Sequence, residues 1–280
     1  MKNFKILKNC IISGFADEID KSVDNQIALL KELKISHVEF RSGDGKGIAE
    51  FTIEEAKSVK EKLDQNGIRI SALGSPIGKI GILDDFEPHF EVFQHVCELA
   101  KIMGTDRIRM FSFYLPEEGE PAQYREEVLR RMRRMAEYAA AKNLILQHEN
   151  EKGIYGDNAA RCGPAFQCTF DFANFVQCRQ DTLEAYDMLK PYISYIHVKD
   201  AMWEDGMVVP AGMGDGHVAE ILEKLDQNGY QGFLSLEPHL ADFAGFKGLE
   251  QLSKAKGRSD GASAFCQAYA ALVGLLENAI

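Results

Sequence analysis

The sequence predicts an α/β protein folded as one (β/α)8 barrel, with its working end at the carboxyl ends of the strands. Three observations carry this prediction. Short apolar runs alternate with amphipathic segments, the sequence form of repeated βα units, and eight such units can be counted. The length of 280 residues is ordinary for one such barrel, so residues 1–280 read as a single domain. Several apolar runs also end abruptly in charge: Leu144 to Glu151 closes on His148, Glu149, Asn150 and Glu151, Ile193 to Asp200 on His197, Lys199 and Asp200, and Gly232 to His239 on Glu237 and His239. Buried parallel strands read as near-continuous apolar runs, and such sheets carry their chemistry just beyond the carboxyl ends.

In chain order, Cys10 to Ala16 is the first strand, tipped by Asp17 and Glu18, and Gln26 to Leu33 has helical spacing through Ile27, Leu30 and Leu33. His37 to Arg41 is the second strand; alternation along HVEFR turns Val38 and Phe40 outward and Glu39 and Arg41 inward. Thr52 and Glu55 form a capping box that opens the second helix, and Asn66-Gly67 stops it. The third strand, Ile68 to Ser75, leads into a Gly/Pro-punctuated loop expected to be ordered over the mouth, with Lys79 either an anion contact or solvent-exposed. Phe86 to Met103 is the third helix. In the fourth strand, Arg107 to Phe113, Arg107 and Arg109 share one face and Ile108 and Met110 the other. The fourth helix spans Glu126 to Lys142.

Beyond the fifth strand, Gly153, Gly156, Gly163 and Pro164 leave room for a helix of a turn or two around Asn158 to Cys162. Thr169 to Asn174 is the sixth strand and supplies Asp171. Asp181 to Leu189 is the next helix, stopped by Lys190-Pro191. Pro210 to Gly216 is a glycine-rich loop that is not GxGxxG and does not directly follow a strand, so it reads as a lid or connection rather than a phosphate cradle. Ala241 to Gly261 is polar and Gly-rich, and Ala264 to Leu276 forms an apolar last helix that closes the barrel.

Composition narrows the function. A net charge of −11 opposes a nucleic-acid surface, which needs clustered Lys and Arg. The one basic run, Arg125 to Arg134, is interleaved with Glu126 and Glu127 and reads as a solvated helix face. Neither a signal-peptide core nor a membrane-length apolar window is present, which predicts a cytoplasmic protein with no membrane partner. The six cysteines include no CxxC pair and read as reduced thiols packed as small apolar groups.

Four strand ends offer Glu149, Asp171, His197 and Glu237. This mixed oxygen and imidazole set suits one divalent cation, Mn2+, Mg2+, Co2+ or Zn2+, and leaves room for substrate oxygens. The alternative is a set of structural salt bridges. Here the chain resembles the xylose isomerase-like TIM barrels, the sugar phosphate isomerase/epimerase superfamily, from GFADEI at Gly14 to LEPH at His239. The resemblance implies that Glu149, Asp171, His197 and Glu237 bind one metal. It also implies a small sugar or sugar derivative as substrate, and a homodimer. The ketose 3-epimerases of that superfamily carry a histidine three residues after the metal aspartate and an arginine six after the metal histidine. This chain has Asn174 and Trp203 there, so substrate identity does not transfer.

Those parts imply a sugar isomerase or epimerase working by proton transfer through a metal-stabilised enediolate, with Glu149 and Glu237 as the acid and base. Glu39, Arg109, Lys199, His148 and His239 are expected to orient hydroxyls or support the ligands. Lys199 could instead pair with Asp200 or a loop acid, and alternation from Glu149 could turn His148 outward. Trp203 is placed either as a cap on the pocket or as an apolar wedge in its loop. The rivals are a lyase or dehydratase on the same enolate chemistry, an endonuclease-IV-like enzyme opposed by the net charge, and a non-catalytic sugar-binding barrel.

Overall fold

The structure is a computed structural model that describes residues 5–162, 166–240 and 261–278. Eight strands form one parallel sheet: β1 (Ile11–Gly14), β2 (His37–Phe40), β3 (Arg69–Gly74), β4 (Arg107–Met110), β5 (Ile145–Glu149), β6 (Gln167–Asp171), β7 (Ile193–Val198) and β8 (Phe233–Leu236). The ladders run β1-β8-β7-β6-β5-β4-β3-β2, which rolls the sheet into a nearly closed (β/α)8 barrel. Among the described residues no backbone ladder joins β1 to β2. Side chains bridge that seam: Arg41 Nε and Ser42 Oγ each donate to Asp17 Oδ2 at 2.9 Å.

Around the sheet lie α1 (Val23–Glu32), α2 (Ile53–Gln65), α3 (Phe86–Met103), α4 (Pro121–Ala140), α5 (Ala159–Cys162), α6 (Phe172–Gln177), α7 (Thr182–Leu189), α8 (Val218–Gln227) and α9 (Gly261–Asn278). Local chemistry explains their ends. Thr52 Oγ1 accepts from the Glu55 N–H and Glu55 Oε2 from the Thr52 N–H, the expected capping box, so α2 begins where the sequence places it. Gly104, at φ 73°, ends α3 in the left-handed conformation that glycine adopts without strain. None of the described helices is long and apolar enough to cross a membrane.

The apolar core lies between sheet and helices, where Val38, Phe40, Ile108, Met110, Leu146, Phe170, Ile196 and Leu234 are buried on the outer faces of the strands. The inner faces are polar. Ser13, Glu39, Ser71, Gln147, Thr169, Tyr195 and Ser235 are buried along the barrel axis, where bulky aliphatic layers are the rule.

The fourth helix begins at Pro121 rather than Glu126 and the fourth strand ends at Met110 rather than Phe113, and two further regions differ from the sequence expectation. The sixth strand ends at Asp171, and Phe172 to Asn174 are already helical, because Asp171 Oδ1 accepts the Asn174 N–H at 2.7 Å and caps α6. The loop from Pro210 to Gly216 is pinned rather than loose. The N–H groups of Gly212, Gly214 and Gly216 all donate to the Asp200 carboxylate at 2.9–3.0 Å. A Cβ on Gly214 would lie 2.5 Å from the Ala201 carbonyl oxygen, so that close wrap needs glycine. The expected Ala241 to Gly261 linker lies almost wholly outside the described residues.

Candidate active site at the barrel mouth

Four strands deliver the cluster. β5 ends in Glu149, β6 in Asp171, β7 carries His197 one residue before its end, and Glu237 follows β8. In register, Asp171 pairs with His197 and His197 with Ser235, so these groups come to one level of the barrel. One ligand atom from each of Glu149, Asp171, His197 and Glu237 lies within 4.8 Å of the others, and all four residues are buried. His197 Nδ1 stands 2.9 Å from Glu149 Oε1, 3.2 Å from Glu237 Oε2 and 3.8 Å from Asp171 Oδ2.

The electrostatics of the cluster are opposed term by term. Burial alone would raise the Glu149 carboxyl, but His197 and Arg109 outweigh it and hold it down at about 2. Glu237 is likewise held well below the usual carboxylate range, with Lys199 and His239 overcoming its burial. Asp171 goes the other way: burial pushes it up to about 7, against the pull of Lys199. His197 is raised despite its burial, by Glu39 and Glu149.

A divalent ion fits these residues on evidence internal to the site. Asp171 Oδ2 and Glu237 Oε2 are buried oxygens with no hydrogen-bond partner, and both belong to the four-residue cluster. Oxygens left like that are costly unless a cation satisfies them. Lys199 Nζ stands 3.3 Å from each, supplying part of that charge.

A second tier surrounds the cluster. Arg109 Nε is 3.0 Å from Glu149 Oε2, and its Nη1 donates to the Ser75 carbonyl at 2.8 Å. His239 Nε2 is 3.0 Å from Glu237 Oε1, and burial notwithstanding its imidazole is raised to about 10 by Glu18 and Glu237. The Phe15 ring meets the His197 ring edge-on at 5.1 Å, with the Arg41 guanidinium 4.2 Å above its face. β3 makes room for this packing: a Cβ on Gly74 would sit 2.5 Å from the Phe15 ring. Sequence reasoning left out Phe15, and alternation had turned Arg41 inward without giving it a partner. Arg41 Nη2 donates to Glu18 Oε1 at 3.2 Å, and its Nη1 stands 3.6 Å from Glu237 Oε1.

The remaining residues expected at the substrate differ in depth and direction. Glu39 is wholly buried beneath His197, its two oxygens 3.2 and 3.0 Å from Nε2, because β2 places it one level below Arg41. Alternation from Glu149 turns His148 outward, so the expectation of a substrate contact fails. It packs behind β5 against Gly156, whose Cβ would lie 2.3 Å from His148 Cε1. Both His148 nitrogens are buried without a partner, and burial lowers its pKa to about 4. Lys79 is engaged by Glu151 at 2.9 Å and lies over the Phe111 ring. Trp203 is 41% exposed; its backbone N–H donates to Asp215 and its ring lies under Arg179. Asn174, at the position of the 3-epimerase histidine, donates to Glu149 Oε1 at 3.3 Å and to the Asn150 carbonyl at 2.8 Å.

The fold and this cluster define a class, the TIM barrels whose strand ends gather carboxylates and an imidazole at one point. Residues 27–257 match the family described as xylose isomerase-like TIM barrel, and the chain belongs to that family. Among solved structures it is similar to an L-ribulose 3-epimerase, at TM-score 0.75 and 16% identity over 96% of this chain and 95% of the other. It is also similar to the probable 3-DHS dehydratase AsbF of Bacillus anthracis, at TM-score 0.66 and 19% identity over 81% and 92% of the two chains. A third is a xylose isomerase-like TIM barrel protein of Mycobacterium smegmatis in complex with magnesium, at TM-score 0.66 and 14% identity over 97% and 98%. At these identities the likeness shows the fold. Comparison with curated protein sequences gives no match.

Proposed function

We propose that this chain is a divalent-metal-dependent sugar isomerase or epimerase that moves a proton next to a carbonyl. The carrying observation is that two buried glutamates, Glu149 and Glu237, approach His197 Nδ1 at 2.9 and 3.2 Å, an acid and base pair around one centre. Glu149, Asp171, His197 and Glu237 would hold Mn2+, Mg2+, Co2+ or Zn2+. The ion would act as a Lewis acid on a substrate carbonyl and its neighbouring hydroxyl.

The chain's own groups do the rest. Glu149, kept ionised by Arg109 and His197, accepts the proton of the carbon beside the carbonyl. Glu237 is ionised at rest; a proton passed to it from the protonated His239 3.0 Å away is delivered to the opposite face, which inverts the carbon, and His239 recovers a proton as Glu149 releases its own to solvent; return by the abstracting carboxylate to the neighbouring carbon interconverts aldose and ketose. Phe15 shields the His197 side of the cluster from water. The net charge of −11 supports a small sugar substrate over nucleic acid.

The likeness to L-ribulose 3-epimerase favours this reading, and the likeness to a probable dehydratase favours a second, in which abstraction is followed by loss of a hydroxyl from the next carbon. Solvent-deuterium incorporation into a panel of ketoses, aldoses and 3-keto sugars separates them. The isomerase or epimerase returns product of the substrate's formula, heavier only by the deuterium taken up, the dehydratase an unsaturated product lighter by one water. Absence of both in metal-loaded wild type, with Glu237→Gln no different, would overturn the proposal.

A further inference from the structure

The polar interior of the barrel leads up to the imidazole of the cluster. Ser13 Oγ and Ser71 Oγ lie 2.7 Å apart, and Ser71 Oγ and the Tyr195 hydroxyl 2.7 Å apart. Ser235 Oγ donates to Glu39 Oε2 at 2.7 Å, and Glu39 lies 3.0 Å from His197 Nε2. All six side chains are buried on the axis between the lower end of the barrel and the cluster.

Donor counting fixes the direction of the links nearest His197. A carboxylate only accepts, so Ser235 must spend its one hydroxyl proton on Glu39. At the upper end, the same carboxylate can bond His197 Nε2 only if that nitrogen carries the proton. Nδ1, which faces Glu149, Asp171 and Glu237, is therefore the nitrogen left to offer an electron pair.

We infer that Ser235 and Glu39 are positioning residues that commit His197 to keeping a proton on Nε2, so that it binds a metal through Nδ1. The inference rests on the metal-site reading above and adds the part of the barrel that fixes the imidazole. Hydrogen bonds beyond a metal's own ligands set ring orientation and ligand basicity, and losing one such partner typically lowers metal affinity about 10- to 100-fold.

The test uses Zn2+, a diamagnetic probe, with protein labelled with 15N in its histidines. Wild type is expected to show His197 metallated at Nδ1 with a slowly exchanging Nε2–H. Glu39→Gln should bind Zn2+ about 10- to 100-fold more weakly, and Ser235→Ala, which removes the hydroxyl on Glu39, about threefold more weakly. A purely structural hydroxyl would lower the melting temperature of Ser235→Ala and leave its Zn2+ affinity unchanged. Metallation at Nε2 in wild type, or wild-type affinity in both variants, overturns the inference and leaves the proposed function standing. Failure of wild type to take up Zn2+ or Mn2+ at all overturns both. Should Glu39→Gln fail to fold, the wild-type spectrum and Ser235→Ala still decide.

Discussion

His148 gives the most direct quantitative prediction. It is 1% exposed, with neither ring nitrogen hydrogen-bonded, and its pKa in the fold is about 4. The unfolded chain protonates it near 6.5. A histidine depressed in the fold binds its proton first in the unfolded state, so acid favours unfolding from about pH 6.5 downward and stops adding to it below about pH 4. Between pH 7.5 and 4.5 the linkage integral for these two values comes to about 2.5 kcal/mol, a large share of the ~5–15 kcal/mol that holds a domain folded. The assay is equilibrium urea unfolding of wild type and His148→Leu at both pH values. Leucine keeps most of the volume against Gly156 and has nothing to protonate. Both proteins will lose stability in acid through their carboxylates, and wild type should lose about 2.5 kcal/mol more. Parallel losses would refute the reasoning and mean that the buried imidazole finds a partner once charged.

Three further outcomes are expected. Gly156→Ala would push a methyl to 2.3 Å from His148 Cε1 and 2.8 Å from Ser112 Oγ, so it should destabilise by about 1–3 kcal/mol in the same unfolding assay. Asp200→Ala strips the acceptor from the N–H groups of Ala201, Gly212, Gly214 and Gly216, and limited proteolysis should then cut the 202–216 loop at protease levels that leave wild type intact. Zn2+ binding should release a proton, because Glu39 and Glu149 strengthen His197's hold on the proton at Nδ1, which it must give up while Nε2 keeps its own and Glu149 and Glu237 are held ionised; titration calorimetry in buffers of different ionisation enthalpy measures it.

Much of the barrel was legible because each element carries its own local signal. The Thr52 and Glu55 capping box set the start of α2, and alternation alone turned Glu39 inward and Ile108 and Met110 outward. The four strand-end residues were legible because charge directly after a buried run has few places to go but the mouth. What escaped had no period to read. Phe172 to Asn174 are as apolar as a strand because α6 is buried from its first residue, so the helix start hid in a strand-like run with Asp171 as both strand end and cap. Lys79 and Trp203 sit in loops, where spacing says nothing about where a side chain ends, and the Glu151 partner of Lys79 could not be read. The depth of Glu39 could not be read either, since alternation gives the face of a strand and not the level along the axis.

The seam between β1 and β2 has a mechanical consequence. Seven of the eight possible strand junctions are laced by backbone hydrogen bonds, whereas this one is held by Arg41, Ser42 and Asp17. A cylinder with one side-chain stave joint opens there first. Amide exchange should therefore be fastest along β1 and β2, and pulling the two ends of the chain apart should unroll the wall from this line. Because Arg41 also reaches Glu18 and Glu237, whatever fills the mouth tightens the same joint, and loading the centre should show up as slower exchange on the strands of the seam.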